Sequence, residues 1–260
     1  MKIASYQFAV SGDIQSNFCT MKKAIYEAGN QEVKLLVFPE CCLTGYPPLS
    51  LPSPDSVDFK LVDHLLGELQ AISDDTEMSF VIGTIYKEGN SILNRAVVFR
   101  PGMPMASYDK RALWGWDREN FVKGNDPGVF KINGITVGIR ICFEVRFPEY
   151  FRELYLEHTD LNVILFYDVS DNDNIDRYQL LKAHLQTRAV ENVCPILSVN
   201  AIAPFQTAPT MFIGKSGQVI AECNRNNENL LVCNFESTDL DFGEKGRRTL
   251  TDELLGIRMK

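Results

Sequence analysis

Over residues 2–10 apolar and polar side chains alternate, the period-two pattern of a strand. Asp13 then stands where it can cap a helix in which Ile14, Phe18, Met21, Ile25 and Ala28 recur at helical spacing. Residues 35–38 form a short continuous apolar run, as in a strand buried on both faces. Residues 57–72 predict a second helix with Leu61, Leu65, Leu66 and Leu69 on one side. Segments 79–86 and 92–100 read as strands joined across Glu88-Gly89-Asn90, and segments 129–132 and 135–142 flank Asn133-Gly134, a strong hairpin signal. Pro148 is preformed for the first turn of a helix. The pattern then predicts a strand at 161–166, a helix at 175–192 and a strand at 196–200, followed by shorter strands at 211–213, 218–221 and 230–235. Strands alternate with helices while hairpins add antiparallel pairs, so the expected class is α/β with mixed sheets. No repeat or linker-like composition shift divides residues 1–260, which read as one domain.

Composition narrows the class of function. Apolar residues make up 45% of the 260 and charged residues 23%, a globular balance. The formal net charge of −8 argues against nucleic acid or an anionic membrane as the main partner. The start has no long apolar run, and no run approaches a membrane span, so neither a signal peptide nor a spanning helix is expected. Seven scattered cysteines without a CxxC spacing fit neither a disulfide framework nor a zinc site, and a cytoplasmic location is the simplest expectation. Two ligand motifs fail on inspection. Gly214-Lys215-Ser216 has Pro209 where a P-loop needs glycine, and the run Asp171-Asn172-Asp173-Asn174 has Asp176 and Lys182 where a calcium loop needs glycine and glutamate. That run reads as a helix-capping loop.

Three polar residues fall at strand ends, where α/β sheets gather side chains from distant sequence: Glu40, Lys110 and Cys142. Taken singly they read as a turn residue, a solvated lysine and a small buried hydrophobe. Their surroundings change that reading. Phe38-Pro39-Glu40-Cys41-Cys42-Leu43-Thr44-Gly45-Tyr46 resembles the first signature of the nitrilase, or carbon–nitrogen hydrolase, superfamily. Tyr108-Asp109-Lys110-Arg111-Ala112-Leu113, with Glu119-Asn120-Phe121-Val122-Lys123-Gly124 after it, resembles the second. The stretch from Gly138 to Glu149, centred on Ile141-Cys142-Phe143-Glu144, resembles the third. Arg188-Ala189-Val190-Glu191-Asn192 and Val199-Asn200 look like the family's later helix and strand.

The resemblance implies an αββα four-layer sandwich and a Glu-Lys-Cys triad that hydrolyses non-peptide C–N bonds through a thioester, with no metal and no cofactor. Carried over, Cys142 is the nucleophile, Glu40 the general base and Lys110 the electrostatic stabiliser. Glu119 matches the further glutamate that holds the lysine and orients substrate. The chemistry is consistent with this: an amide carbon needs a thiolate, a thiol with pKa about 8.5 needs help to ionise, and the oxyanion that follows needs donors. Lys110 and the Phe143 backbone N–H are the candidate donors. The three histidines, His64, His158 and His184, all fall on predicted helices, away from these motifs, so no Cys/His pair is evident.

The expected activity is hydrolysis of a small carboxamide to an acid and ammonia. The alternatives are N-carbamoyl-amine or nitrile hydrolysis, a glutaminase serving a synthetase, or a catalytically silent binding scaffold of the same fold. The expected partner is a small amide, and family habit implies a homodimer or higher homo-oligomer. Arg146 and Glu149 are expected to brace the turn after Cys142 by ion pairing, and 243–248 to be a solvated tail. Phe143-Glu144 favours an amidase over a nitrilase. The acidic 168–173 loop reads first as a solvated turn, with a preference for cationic amides as the sharper alternative.

Overall fold

Residues alternating along the central strands pack on opposite sides of their sheet, and both sides are buried. Leu35 and Val37 face one apolar cluster, Leu36 and Phe38 another; Val163 and Leu165 share the first cluster, while Ile164 and Phe166 belong to a third. This places one core between two sheets and one core outside each. The apolar run at 35–38 follows from it, because a strand covered on both faces has no polar side to show.

The computed structural model describes residues 1–257. In chain order the first half contains β1 (Lys2–Gln7), α1 (Ile14–Asn30), β2 (Val33–Val37), α2 (Phe59–Thr76), β3 (Ser79–Glu88), β4 (Ser91–Arg100), β5 (Met103–Asp109) and α3 (Trp116–Asn120). There follow β6 (Val129–Ile132), β7 (Ile135–Ile141), α4 (Pro148–Leu156), β8 (Leu161–Phe166), β9 (Val169–Ser170), α5 (Ile175–Asn192) and β10 (Ile196–Asn200). The last elements are β11 (Phe205–Gln206), β12 (Met211–Ile213), β13 (Val219–Glu222), β14 (Asn229–Asn234) and α6 (Phe242–Leu254).

One six-stranded sheet runs β14-β1-β2-β3-β4-β5 and the other β13-β12-β10-β8-β7-β6. Helices α1 and α2 supply Phe18, Met21, Ile25, Leu65 and Leu69 to the outer core of the first sheet. Helix α5 supplies Leu181, Leu185 and Ala189 to the outer core of the second, with Phe151 from α4. The inner core joins Ile3, Leu35, Val37, Val81 and Val98 to Val137, Ile139, Val163, Leu165, Leu197 and Val199. The architecture is the expected αββα sandwich with mixed sheets. Parallel pairs β1·β2, β2·β3, β7·β8 and β8·β10 sit beside antiparallel hairpins such as β3·β4 and β6·β7.

Local chemistry sets the element ends. The Asp13 carboxylate accepts from the Ser16 N–H at 3.1 Å, and Asn174 caps α5 through the Arg177 N–H at 2.9 Å. The run at 171–174 is therefore a capping loop. The Asn133-Gly134 turn has φ of 49° and 84°, the left-handed pair that a two-residue hairpin requires. The 243–248 segment is mostly exposed, as a solvated tail would be, but it is helical: it lies within α6, started by a capping box in which Asp241 and Glu244 exchange hydrogen bonds. Most of that helix is polar, so apolar periodicity gave no sign of it.

Gly83 positions the segment that carries Glu40. Its N–H donates to Pro39 O at 3.1 Å, and its carbonyl accepts from Leu43 N at 3.1 Å. A Cβ there would lie 2.5 Å from Glu40 Cα and from Pro39 O. Gly83→Ala is expected to destabilise by roughly 1–3 kcal/mol and lower the melting temperature by several degrees. Gly67→Ala, on the exposed side of α2 with open space around its Cβ position, is expected to stabilise by about 0.5–1 kcal/mol. Thermal denaturation of the two variants side by side checks both signs.

Candidate active site

The chain leaves β2, crosses over Gly83 and buries Glu40. Both carboxylate oxygens are engaged. Oε1 accepts from Asn94 Nδ2 at 2.7 Å and from Lys110 Nζ at 2.8 Å, and Oε2 accepts from the Tyr167 backbone N–H at 2.9 Å. In return the Glu40 N–H donates to Phe166 O at 3.2 Å, which ties the end of β2 in one sheet to the end of β8 in the other.

Lys110 follows β5 and is buried as well. Its Nζ donates to Glu40 and, at 2.7 Å, to Asp117 Oδ2. Asp117 also accepts from the Tyr46 hydroxyl, whose ring stacks on Tyr167 with centroids 5.2 Å apart. Glu119 does not hold the lysine: it is exposed, and Asp117 takes that place. Two residues apart on a helix point to opposite sides, so the short α3 can turn only one of the two acids inward.

Cys142 follows Ile141, the last residue of β7, which pairs with Leu165 of β8. The next residue on that neighbouring strand is Phe166, whose carbonyl holds the Glu40 N–H, so the register brings the turn that begins at Cys142 beside the Glu40 segment. Cys142 adopts φ of 46°, a conformation that costs a side-chain-bearing residue roughly 1 kcal/mol or more. The surroundings that enforce it are specific. Glu144 is fully buried; its Oε2 accepts from Ile141 N at 2.7 Å, and its Oε1 accepts from Arg111 N at 2.7 Å and Tyr108 Oη at 2.8 Å. One carboxylate thereby joins the turn at Cys142 to the segment after Lys110. Arg188 of α5 donates through Nε to Val145 O at 3.0 Å and through Nη2 to Arg146 O at 3.2 Å.

These contacts replace the bracing expected of Arg146 and Glu149. Among the described residues neither forms an ion pair; Glu149 is exposed, and the Arg146 guanidinium lies 5.9 Å from the centre of the Phe143 ring. The carbonyls left open by a short 3-10 turn need donors from outside it, and an arginine fork from a packed helix supplies them. Phe143 itself sits in the first turn after Cys142, where a backbone N–H has no acceptor within the turn.

The cluster is electrostatically tight. Burial raises Glu40 above the ordinary carboxylate range, with Lys110 and Asn94 pulling the other way. Burial alone would lower Lys110, but Glu40, Cys142 and Asp117 outweigh it and carry the ammonium well above its usual value. Burial, reinforced by the charge of Glu40, pushes the Cys142 thiol well up against the pull of Lys110. With Glu40 and Asp117 ionised around one ammonium, the group carries one net negative charge. Losing the thiol proton to solvent would make it two; passing that proton to Glu40 leaves it at one. The arrangement therefore favours handing the thiol proton to Glu40 over losing it to solvent.

Asn94, Asp117, Glu144 and the Tyr167 N–H were not singled out as site groups by sequence reasoning, although Glu144 could be seen beside the cysteine. Cys41 and Cys42 are buried thiols raised by desolvation, with Cys41 Sγ 3.7 Å from Asn94 Oδ1 and Cys42 Sγ 3.3 Å from Gly83 O, as packing residues would be. In the acidic loop Asp168 is buried, with Arg177 Nε at 2.7 Å from Oδ1 and Nη2 at 2.6 Å from Oδ2, and Asp173 pairs with Arg225 at 2.6 Å. Among the described residues no cluster of three or more His, Cys, Asp or Glu could hold a metal, and no helix is long and apolar enough to cross a membrane.

Residues 2–241 match the carbon-nitrogen hydrolase family. A nitrilase from Pyrococcus abyssi is 30% identical over 206 residues, which cover 77% of this chain and 73% of that protein. A glutamine-dependent NAD(+) synthetase from Aquifex aeolicus is 26% identical over 271 residues; the match takes in 97% of this chain but 44% of the synthetase, so the chain spans less than half of that relative. Among solved structures, an amidase from Nesterenkonia sp. superposes with a TM-score of 0.80 at 25% identity, covering 98% of this chain and 96% of that one. A mutant of that amidase shows acrylamide added at its active site cysteine. The chain thus belongs to the carbon-nitrogen hydrolase family of the nitrilase superfamily, and it is a hydrolase of C–N bonds other than peptide bonds.

Proposed function

We propose that the chain is a thiol amidohydrolase that converts a small carboxamide to the acid and ammonia through a thioester on Cys142. The observation that carries this reading is the buried ammonium held between Glu40 and Asp117 at the end of the strand-paired segment that presents the cysteine.

Glu40 takes the proton from the Cys142 thiol as Sγ bonds to the amide carbon. The carbonyl π pair moves onto oxygen, and the oxyanion meets two donors. An ammonium has three N–H bonds; Lys110 commits two, to Glu40 and Asp117, and the third serves the oxyanion beside the Phe143 N–H. Glu40 then gives its proton to the departing nitrogen as the C–N bond breaks, which releases ammonia and leaves the thioester. A water loses its proton to Glu40 and bonds to the thioester carbon; collapse expels the sulfur, and the same proton returns to it. Glu40 begins and ends ionised, and no cofactor takes part.

N-carbamoyl-amine or nitrile hydrolysis would use the same nucleophile, and a panel of amides, N-carbamoyl amines and nitriles separates the three. We further propose a homodimer in a reducing, cytoplasmic setting. Support comes from the exposed Leu156, Ile175 and Leu180 on the helices after the nucleophile strand, and from seven cysteines that are all free. Sedimentation of the purified protein tests the dimer.

Cys142→Ala is expected to abolish ammonia release from every amide that the wild-type protein hydrolyses, measured by a coupled ammonia assay. Turnover that persists in this variant would sink the thioester route. Asp117→Asn is expected to lower kcat by at least about tenfold, because Lys110 loses a charge partner, while Glu119→Gln stays within about twofold. Equal effects of the two substitutions would return the lysine-holding role to Glu119. Glu40 must be ionised to accept the thiol proton, so activity is lost as pH falls through its raised pKa. The acid limb of kcat/KM should therefore lie above the ordinary glutamate range. Lys110 keeps its proton far into alkali, so no fall is expected near pH ~8.5, where an ordinary cysteine titrates.

A further inference from the structure

Beside the nucleophile turn lies a cavity of about 520 Å³, the size of a small-molecule site. It opens between the segment after Lys110 and the turn after Cys142, which Glu144 holds together through the Arg111 and Ala112 N–H groups at 2.7 and 3.3 Å. Its wall combines the cations Arg111, Arg118 and Lys123 with aromatic rings, Trp114, Phe143 and Phe147 among them, and contains no carboxylate. In a chain of net charge −8 that is a local reversal of sign.

Arg111 is committed to Glu153, which also pairs with Arg140. Arg118 and Lys123 are exposed and make no ion pair or side-chain hydrogen bond among the described residues. Trp114 is 71% exposed, a large apolar surface left in water at the rim of the same cavity. The acids of the 168–173 loop that could have favoured a cationic substrate are partly spent, Asp168 on Arg177 and Asp173 on Arg225.

We propose that this cavity is the acyl-side subsite of the catalytic centre, and that it takes amides whose far end is a carboxylate carried on an apolar or aromatic body. The proposal rests on the amidase reading above. The amide end is neutral and can sit on the Glu40–Lys110–Asp117 cluster, whose net charge is negative. A carboxylate is repelled from that cluster and finds unpaired cations on the flank. The rings that line the cavity cover the body of the substrate, and their faces and edges suit an aryl group. Cations at a rim raise both encounter rate and residence of an anion, and salt weakens them.

Three phenylacetamides test this, identical at the amide and bearing a para carboxylate, methyl or aminomethyl group. The expected order of kcat/KM is carboxylate, methyl, aminomethyl, with carboxylate ahead of methyl by about tenfold. That ratio should shrink with added salt and fall to about one in the Arg118→Glu, Lys123→Glu double variant. A ratio of one or less in the wild-type protein, or one that the double variant does not move, overturns the proposal. So does a double variant that alters sedimentation while the ratio stays, because the cavity then belongs to an interface between copies of this chain. If no amide at all is hydrolysed, the amidase reading has failed separately, and calorimetry with para-carboxyphenylacetamide on Cys142→Ala protein decides. Binding that charge reversal removes sustains the subsite; no binding, or binding that survives charge reversal, ends it.

Discussion

A single buried ammonium organises this protein. Lys110 lies between the Glu40 and Asp117 carboxylates with almost no access to water. Taking such a group out of water costs several kcal/mol per ion, and only close, hydrogen-bonded partners offset it. The partners must therefore be fixed before the lysine can be. Glu40 is fixed by Asn94 on one oxygen and by the Tyr167 N–H on the other; Asp117 is fixed by the Tyr46 hydroxyl. Asn94, Tyr46 and Tyr167 come from segments remote from the acids they fix, and Tyr167 follows β8 of the other sheet, so the charge cluster also ties the two sheets together.

The same logic governs the cysteine. Its left-handed backbone is unfavourable and persists because the turn around it is held from both sides. Glu144 holds it from the lysine segment, and Arg188 holds it from α5 through two carbonyls. The turn that presents Cys142 is thus held by a buried acid and a buried arginine. The sulfur can stay a thiol at rest, in a site whose acids would resist a permanent negative charge.

Much of this was legible in the chain. Strands buried on two faces read as unbroken apolar runs, and the helices with one apolar stripe announced themselves, so 161–166, 175–192 and 196–200 emerged with their observed limits. Glu40, Lys110 and Cys142 were visible because each ends a strand inside a recognisable motif. Asp117 was not, since the choice between Asp117 and Glu119 depends on which side of a five-residue helix faces inward, and five residues show no periodicity. Arg188 was visible as part of a motif, but its task was not, because the carbonyls it meets lie more than forty positions away. Helix α6 escaped notice for the opposite reason: its start is written in a capping box and its body is almost wholly polar.

Charge also orders the approach of a substrate. In the proposed reaction the Glu40–Lys110–Asp117 cluster is net negative, and that charge stays constant from one proton transfer to the next. A neutral amide can enter it; an anionic group cannot without adding repulsion in a poorly solvated space. The cavity alongside has the reverse polarity, with Arg118 and Lys123 open to solvent and the Trp114, Phe143 and Phe147 rings in the same wall. Two adjacent regions of opposite sign select a molecule by its polarity from end to end. On the proposed mechanism they would also set its direction: the uncharged carbonyl toward Cys142 and any anionic tail away from Glu40, which leaves the base free to move its proton.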